Sequence, residues 1–393
     1  MKKKLLAGLL SAAMVVVMFA GCGKTETPAT TEEPVAEAAD DTDVVEETVA
    51  DDAADLSETN VAVFYYTYAD TYIASVRTAL DTQLTDLGIT YQDYDGNSNQ
   101  TTQNEQIDTA IQTGATLLIV NIVTSGSVDS AVQIVDKAKA ADIPLIFFNR
   151  AVETDEEEGV VLGSYDKLAF VGTDAPEAGH MQGKLIGDYL VENFDTADLN
   201  SDGKISYALF MGQLGNVEAI YRSQFGVEDA DAILTAAGKP ALEYFDPNNA
   251  DKYQVDQDGN WSATAANNYM TTNLSQFNEE NQNAIEVVIC NNDGMAEGAI
   301  TALNDKGYNL GTDGSVTIPV FGVDATDAAK QLITDGKMTG TIKQDAEGMA
   351  NCIADLTKSA ASGSELLANA ASYNISETVA NKIYIPYGTY TGE

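Results

Sequence analysis

Six residues between positions 198 and 206 have the types and the spacing of a hard-cation loop. Asp198, Asn200, Asp202 and Ser206 put oxygen side chains at places 1, 3, 5 and 9 of a loop like that of an EF-hand. Gly203 supplies the turn at place 6, and Lys204 offers a backbone carbonyl at place 7. Leu209 stands at place 12, where a closing glutamate is usual, and residues 205–210 read as a strand rather than a helix. The chemistry expected is calcium held by oxygen; an ordinary Asx-rich turn fits the same residues. A second polar set follows strand-like runs: Asp70 and Tyr72, Asn149 and Arg150, Asn291, Asn292 and Asp293, and Asp324. In open α/β sheets ligands sit at the carboxyl ends of strands, so the set as a whole marks a binding site. Each residue singly also fits a cap or a turn. Parts for catalysis are scarce. The one histidine, His180, lies in a helical run and reads as a surface residue, and no nucleophile elbow, P-loop or dinucleotide fingerprint occurs. Asp70 and Asp324 could pair as in a glycosidase, but nothing in the sequence sets their acidities apart. An enzyme is not expected.

The elements that must hold these residues alternate. Residues 61–66 are rich in β-branched and aromatic types and read as a strand. Val76, Leu80, Leu84 and Leu87 recur at helical spacing, and Gly88 stops the run. Residues 117–123 form a continuous apolar strand, as in a parallel sheet covered on both faces. Helix 128–140 and strand 143–148 follow, then strand 168–171, helix 178–191, strand 205–210 and helix 217–237. Strand 285–289, helix 295–303, strand 318–323, helix 325–333 and strand 338–342 complete the series. So many strand–helix units exceed one small domain, and no fixed-period repeat appears, so two α/β lobes with parallel sheets are expected.

The N-terminus carries its own chemistry. Lys2, Lys3 and Lys4 precede an apolar run over residues 5–20, which is short for a spanning helix and has the form of a secretory signal. Phe19-Ala20-Gly21-Cys22 resembles a bacterial lipobox, although Phe19 replaces the commoner leucine, so residues 1–22 are expected to be a signal peptide and Cys22 the lipidated mature terminus. From there to residue 59 the chain is mostly Ala, Thr, Val, Pro, Asp and Glu, which predicts a disordered acidic tether over 23–59. That combination favours an exported protein anchored to the outer face of the cytoplasmic membrane, periplasmic if the host has an outer membrane. Across 393 residues, 61 Asp and Glu face 20 Lys and Arg, a formal net charge of -41 that excludes nucleic acid and an anionic membrane surface as direct partners. Cys290 and Cys352 are too few for a disulfide framework and read as buried small hydrophobes.

From residue 60 to 387 the chain resembles the galactose/glucose-binding proteins of ABC transporters. The match runs through Tyr-Ala-Asp-Thr-Tyr (68–72), Phe-Phe-Asn-Arg (147–150), Ser-Tyr-Asp-Lys (164–167) and Val-Gly-Thr-Asp (171–174). It continues through Asp-Leu-Asn-Ser-Asp-Gly (198–203), Glu-Val-Val-Ile-Cys-Asn-Asn-Asp (286–293) and Pro-Val-Phe-Gly-Val-Asp-Ala (319–325). It is loosest over 238–273, where an insertion precedes Trp261. The resemblance implies the type I periplasmic-binding-protein fold, two doubly wound lobes joined by a three-segment hinge. Lobe 1 is expected over 60–173 plus 345–384 and lobe 2 over 174–344 plus 385–393, with crossings near Thr173, Gln344 and Ile385.

The resemblance also implies the site. Tyr72 and Trp261 match an aromatic pair that sandwiches a pyranose. Asp70, Asn149, Arg222, Asn292 and Asp324 match residues that hydrogen-bond its hydroxyls. Asn216, Glu218 and Gln344 depart from the usual histidine, aspartate and asparagine, which leaves the choice of hexose, galactose or glucose, open. For the calcium loop the resemblance supplies Glu286 as the distant carboxylate, with Ser206 shorter than the usual glutamine. The implied partners are a hexose and an ABC permease, for a chain acting as a monomer. A sugar sensor docking to a chemoreceptor or histidine kinase would share every one of these residues.

Overall fold

The computed structural model describes Leu56 and residues 58–392. The expected signal peptide with Cys22, and nearly all of the expected tether, lie outside the described residues.

The first part of the chain lays down β1 (Asn60–Tyr65), α1 (Thr71–Asp86), β2 (Thr90–Asp95), α2 (Gln100–Gln112), β3 (Leu117–Val120), α3 (Val128–Ala141), β4 (Leu145–Phe148) and β5 (Leu168–Gly172). Next come α4 (Ala175–Ala197), β6 (Ser206–Met211), α5 (Val217–Ala236), β7 (Glu243–Tyr244), β8 (Gln254–Val255), α6 (Ala263–Leu274), β9 (Val287–Cys290) and α7 (Asp293–Asp305). The last elements are β10 (Val320–Asp324), α8 (Asp327–Thr334), β11 (Gly340–Gln344), α9 (Ala346–Ala361), β12 (Asn374–Ile375), β13 (Lys382–Tyr384) and β14 (Tyr387–Tyr390). They build two sheets, in the orders β12-β13-β5-β4-β3-β1-β2 and β14-β11-β10-β9-β6-β7, with β8 also pairing β6. All pairings are parallel except β12 with β13 and β14 with β11.

Parallel sheets bury both faces, and alternation sorts the side chains between them. In β1, Val61, Val63 and Tyr65 join a core with α1 and α9 residues, whereas Ala62 and Phe64 join one with residues of α2 and α3. The second sheet holds its own core, from Ile186 through Phe210 and Ile289 to Phe321. Cys290 and Cys352 are buried and free, one in each half.

The chain passes from one sheet to the other three times: between β5 and α4, between β11 and α9, and between β13 and β14. Helix α9 returns to the first half, where Met349 and Ile353 share a core with Val76 and Leu80 of α1. The alternation read from sequence holds, with most ends shifted by one or two residues; β3 stops three residues early, and α4 starts three residues earlier and runs six further than expected. Helices α2, α6 and α9 and the strands β2, β7, β8, β12, β13 and β14 are not in that series. Strand β2 (TYQDYD) has no fully buried residue, α2 buries only Gln103, Ile107 and Ala110, and α6 is mostly Ala, Asn and Thr. None of these has the apolar period that sequence reading depends on.

Candidate functional site

Strand order reverses between β1 and β3 in one sheet and between β6 and β9 in the other, and the carboxyl ends there face a shared cleft. The ten residues proposed from sequence as ligand contacts all line it: Asp70, Tyr72, Asn149, Asn216, Glu218, Arg222, Trp261, Asn292, Asp324 and Gln344. Tyr66 and Arg150 line it too. The cleft is narrow: its space open to the centres of water-sized spheres is about 30 Å³.

Helix starts fix several of these side chains. Asp70 caps α1, with Oδ1 accepting from the Ile73 amide at 2.9 Å, while Oδ2 accepts from the Tyr66 hydroxyl at 2.6 Å. Asn216 caps α5 and Asn292 caps α7 in the same manner, at 3.0 and 2.9 Å. A cap is a rigid mount, because its backbone is held by the first helical turn. Two buried asparagines tie neighbouring strand ends together. After β3, Asn121 accepts from the Tyr66 amide and donates to the Phe148 carbonyl and to Asn149 Oδ1. After β9, Asn291 accepts from the Gly212 amide at 3.1 Å, and its carbonyl accepts from Arg222 Nη1 at 2.9 Å.

Trp261 comes from the loop before α6, which Asp256 clamps by accepting from the Asp258 and Ser262 amides. Its indole rests directly on the backbone of Gly212: a Cβ there would sit 2.1 Å from the ring. Only glycine permits that approach. Across the cleft Tyr72 is buried on the second residue of α1, where its hydroxyl reaches the Met349 sulfur.

Charge is arranged around two guanidiniums. Arg150 lies 4.1 Å over the Tyr66 ring and donates to the Val123 carbonyl and, across the cleft, to Gln213 Oε1 at 2.6 Å. Arg222 donates to Gln344 Oε1 at 2.9 Å and to the Tyr387 hydroxyl at 3.2 Å. Burial pushes the Asp324 carboxyl well above its ordinary range, and Asp293 adds to this while Arg222 opposes it. Six buried polar atoms of the cleft residues have no partner within the protein: Arg150 Nε, Glu218 Oε2, Arg222 Nε, Trp261 Nε1, Asp324 Oδ2 and Gln344 Nε2.

The 198–206 loop is separate. Gly203 takes a positive φ of 81°, as the sixth place of such a loop demands. Asp198 accepts from the Asp202 and Gly203 amides, Asn200 from Asp202, and Asp202 from Lys204. Glu286, buried, accepts from the amides of Leu199, Asn200 and Ser206 and so faces the loop from the next strand. Lys204 points its amine to Glu243, and the Ser206 hydroxyl donates to the Ala284 carbonyl. The donor set, hard oxygens around a glycine turn, suits calcium. Among the described residues, however, no three His, Cys, Asp or Glu side chains converge as a ready-made metal cage. His180 is exposed, stacked on Phe225 and bonded to Asp229, away from the cleft.

The sequence alone assigns no role to Tyr66 or Arg150; Tyr66 directly follows β1 and Arg150 lies two residues past β4, and that position is their available signal. Tyr387 and Gln213 carried no signal, since their importance lies in what they touch.

Known proteins place the whole. Residues 61–365 match the periplasmic binding protein domain family. The chain is 32% identical over 308 residues to the D-galactose/methyl-galactoside binding periplasmic protein of Haemophilus influenzae, covering 78% of this chain and 83% of that one. In structure it is similar to an ABC transporter solute-binding protein from Bacillus halodurans with bound myo-inositol, with a TM-score of 0.62 and 23% identity over 86% of this chain and 96% of the other. It is likewise similar to one from Clostridium phytofermentans with bound β-D-glucose, with a TM-score of 0.64 and 19% identity over 85% and 94%. The chain belongs to the periplasmic binding protein family.

Proposed function

We propose that this protein captures a hexose, galactose or glucose, in the cleft and delivers it to an ABC permease. The observation that carries the reading is the set of six unpartnered polar atoms, four of them donors and two acceptors, in residues that line one cleft with Tyr72 and Trp261. Buried polar atoms are rarely left without a partner. A hydroxyl both donates and accepts, so one polyhydroxylated ring answers both kinds, while its C–H faces suit aromatic rings. The relatives named above support transport binding rather than catalysis, and one is named for galactose. Calorimetry with ligand-free protein tests this: at least one of the two hexoses binds in the micromolar range or tighter, about −8 kcal/mol or more favourable, and ribose binds much more weakly. No heat with either hexose would refute the reading.

Two further elements belong to the proposal. Calcium held by Asp198, Asn200, Asp202, Glu286, the Lys204 carbonyl and Ser206 braces the second half without touching the cleft. Export and lipidation at Cys22 put the protein on the outer face of the cytoplasmic membrane; among the described residues no helix is long and apolar enough to cross it.

A further inference from the structure

The three crossings between the sheets meet at one buried hydroxyl. Tyr387 begins β14, just past the third crossing, and pairs with Gln344 at the second. Its hydroxyl lies 2.8 Å from Thr173 Oγ1, at the first crossing. Arg222 Nη2 donates both to that hydroxyl, at 3.2 Å, and to Gln344 Oε1, at 2.9 Å. Either hydroxyl can donate in the Tyr387–Thr173 pair, so the bond persists while Arg222 donates to the phenol oxygen. Tyr387 does not line the cleft, whereas Arg222 and Gln344 do.

Motion of two lobes about a hinge is absorbed by backbone rotation at the few residues that cross between them. A hydroxyl and a guanidinium that bond residues at all three crossings are satisfied together over a narrow range of hinge angles. Outside that range the Tyr387–Thr173 bond breaks, since Thr173 follows β5 of the first sheet, whereas Arg222, Gln344 and Tyr387 all sit with the second and move together.

We propose that Tyr387 is a positioning residue: its hydroxyl, braced by Arg222, holds the first crossing at Thr173 to the second half at the closed angle, and so sets the open–closed equilibrium. This rests on the reading of the cleft as the ligand site. Lowering the population of the competent state weakens every ligand by the same factor, because the observed dissociation constant is the intrinsic one divided by that population. A contact residue would instead change the ranking of ligands.

Tyr387→Phe removes one oxygen and keeps the packing; Thr173→Val removes its partner and stands in if the first variant is poorly folded. The expected results are a larger radius of gyration for the ligand-free variant by small-angle X-ray scattering and a bound form like the parent's. All sugars that bind the parent should weaken by about fivefold, with their order unchanged. An unchanged ligand-free radius overturns the proposal, whatever happens to affinity, and so does a changed ranking. The ligand-free scattering needs no sugar, so the pin stands or falls separately from the hexose reading.

Discussion

The cleft and the 198–206 loop are both rich in side-chain oxygen and nitrogen, but they settle their hydrogen bonds in opposite ways. In the loop, Asp198, Asn200, Asp202 and Glu286 all accept from backbone amides of the loop itself. In the cleft, Arg150, Glu218, Arg222, Trp261, Asp324 and Gln344 each keep a buried atom without a protein partner. The loop is held by its own hydrogen bonds, whereas the cleft keeps polar atoms for a partner from outside. Stability and recognition are therefore written in different places, and perturbing one should leave the other nearly intact.

The sharpest way to break that separation is Asp324→Ala. The carboxyl is almost fully buried, has one unpartnered oxygen, and is pushed upward in pKa by burial. Losing the carboxyl's hydrogen bonds and leaving sugar hydroxyls unpaired in a buried site, about 1–3 kcal/mol each, should weaken sugar by about 100-fold or more by calorimetry. Thermal stability should stay near the parent's or rise, since an unsatisfied buried acid is removed. A large fall in melting temperature with sugar binding intact would show that Asp324 serves the fold.

A smaller effect, on stability alone, is expected at the loop. Calcium bound only by the folded state stabilises it by RT ln(1 + [L]/Kd), about 2.7 kcal/mol when calcium is 100-fold above Kd. Metal-stripped protein should melt lower in EDTA than in excess calcium, and Asp198→Ala should erase the difference without changing sugar affinity at low temperature. Identical melting in both solutions would leave the loop as a turn.

How much of this was legible follows the same division. Strands such as 61–66 and 285–289 announce themselves by β-branched runs, and their carboxyl ends pointed to Asp70, Asn149, Asn292 and Asp324. Arg222 was legible only through resemblance, because a lone arginine on a helix usually faces water. Strand β2 was illegible because its register is set by pairing with β1 and not by its own half-exposed residues. Tyr387 was illegible because nothing local distinguishes a tyrosine that meets three distant segments.

The smallest expected effect lies outside both regions, in the acid pair of Asp81 on α1 and Asp93 on β2. Burial and the neighbouring Asp81 raise the Asp93 carboxyl to about 7, against the pull of Arg77, with Tyr65 and Tyr68 beside them. A folded-state pKa above the unfolded one gives stability that is full below about pH 4 and is lost as pH rises through about 7. Melting temperature should therefore fall from pH 5 to pH 8, and Asp93→Asn should lessen that fall, the rest belonging to Asp293 and Asp324, whose carboxyls burial also raises, while sugar affinity stays unchanged. A variant that keeps the full slope would place its origin elsewhere.

The central claim, a sugar seated against Trp261, has its own reporter. Trp261 is the one tryptophan of the chain, and its indole lies buried in the cleft with its nitrogen unpartnered. Covering it with a pyranose and closing the walls should shift its emission saturably on adding D-galactose or D-glucose to calcium-loaded, ligand-free protein, with the sugar recovered unchanged after dialysis. No shift with either hexose, or a sugar consumed over time, would contradict the account.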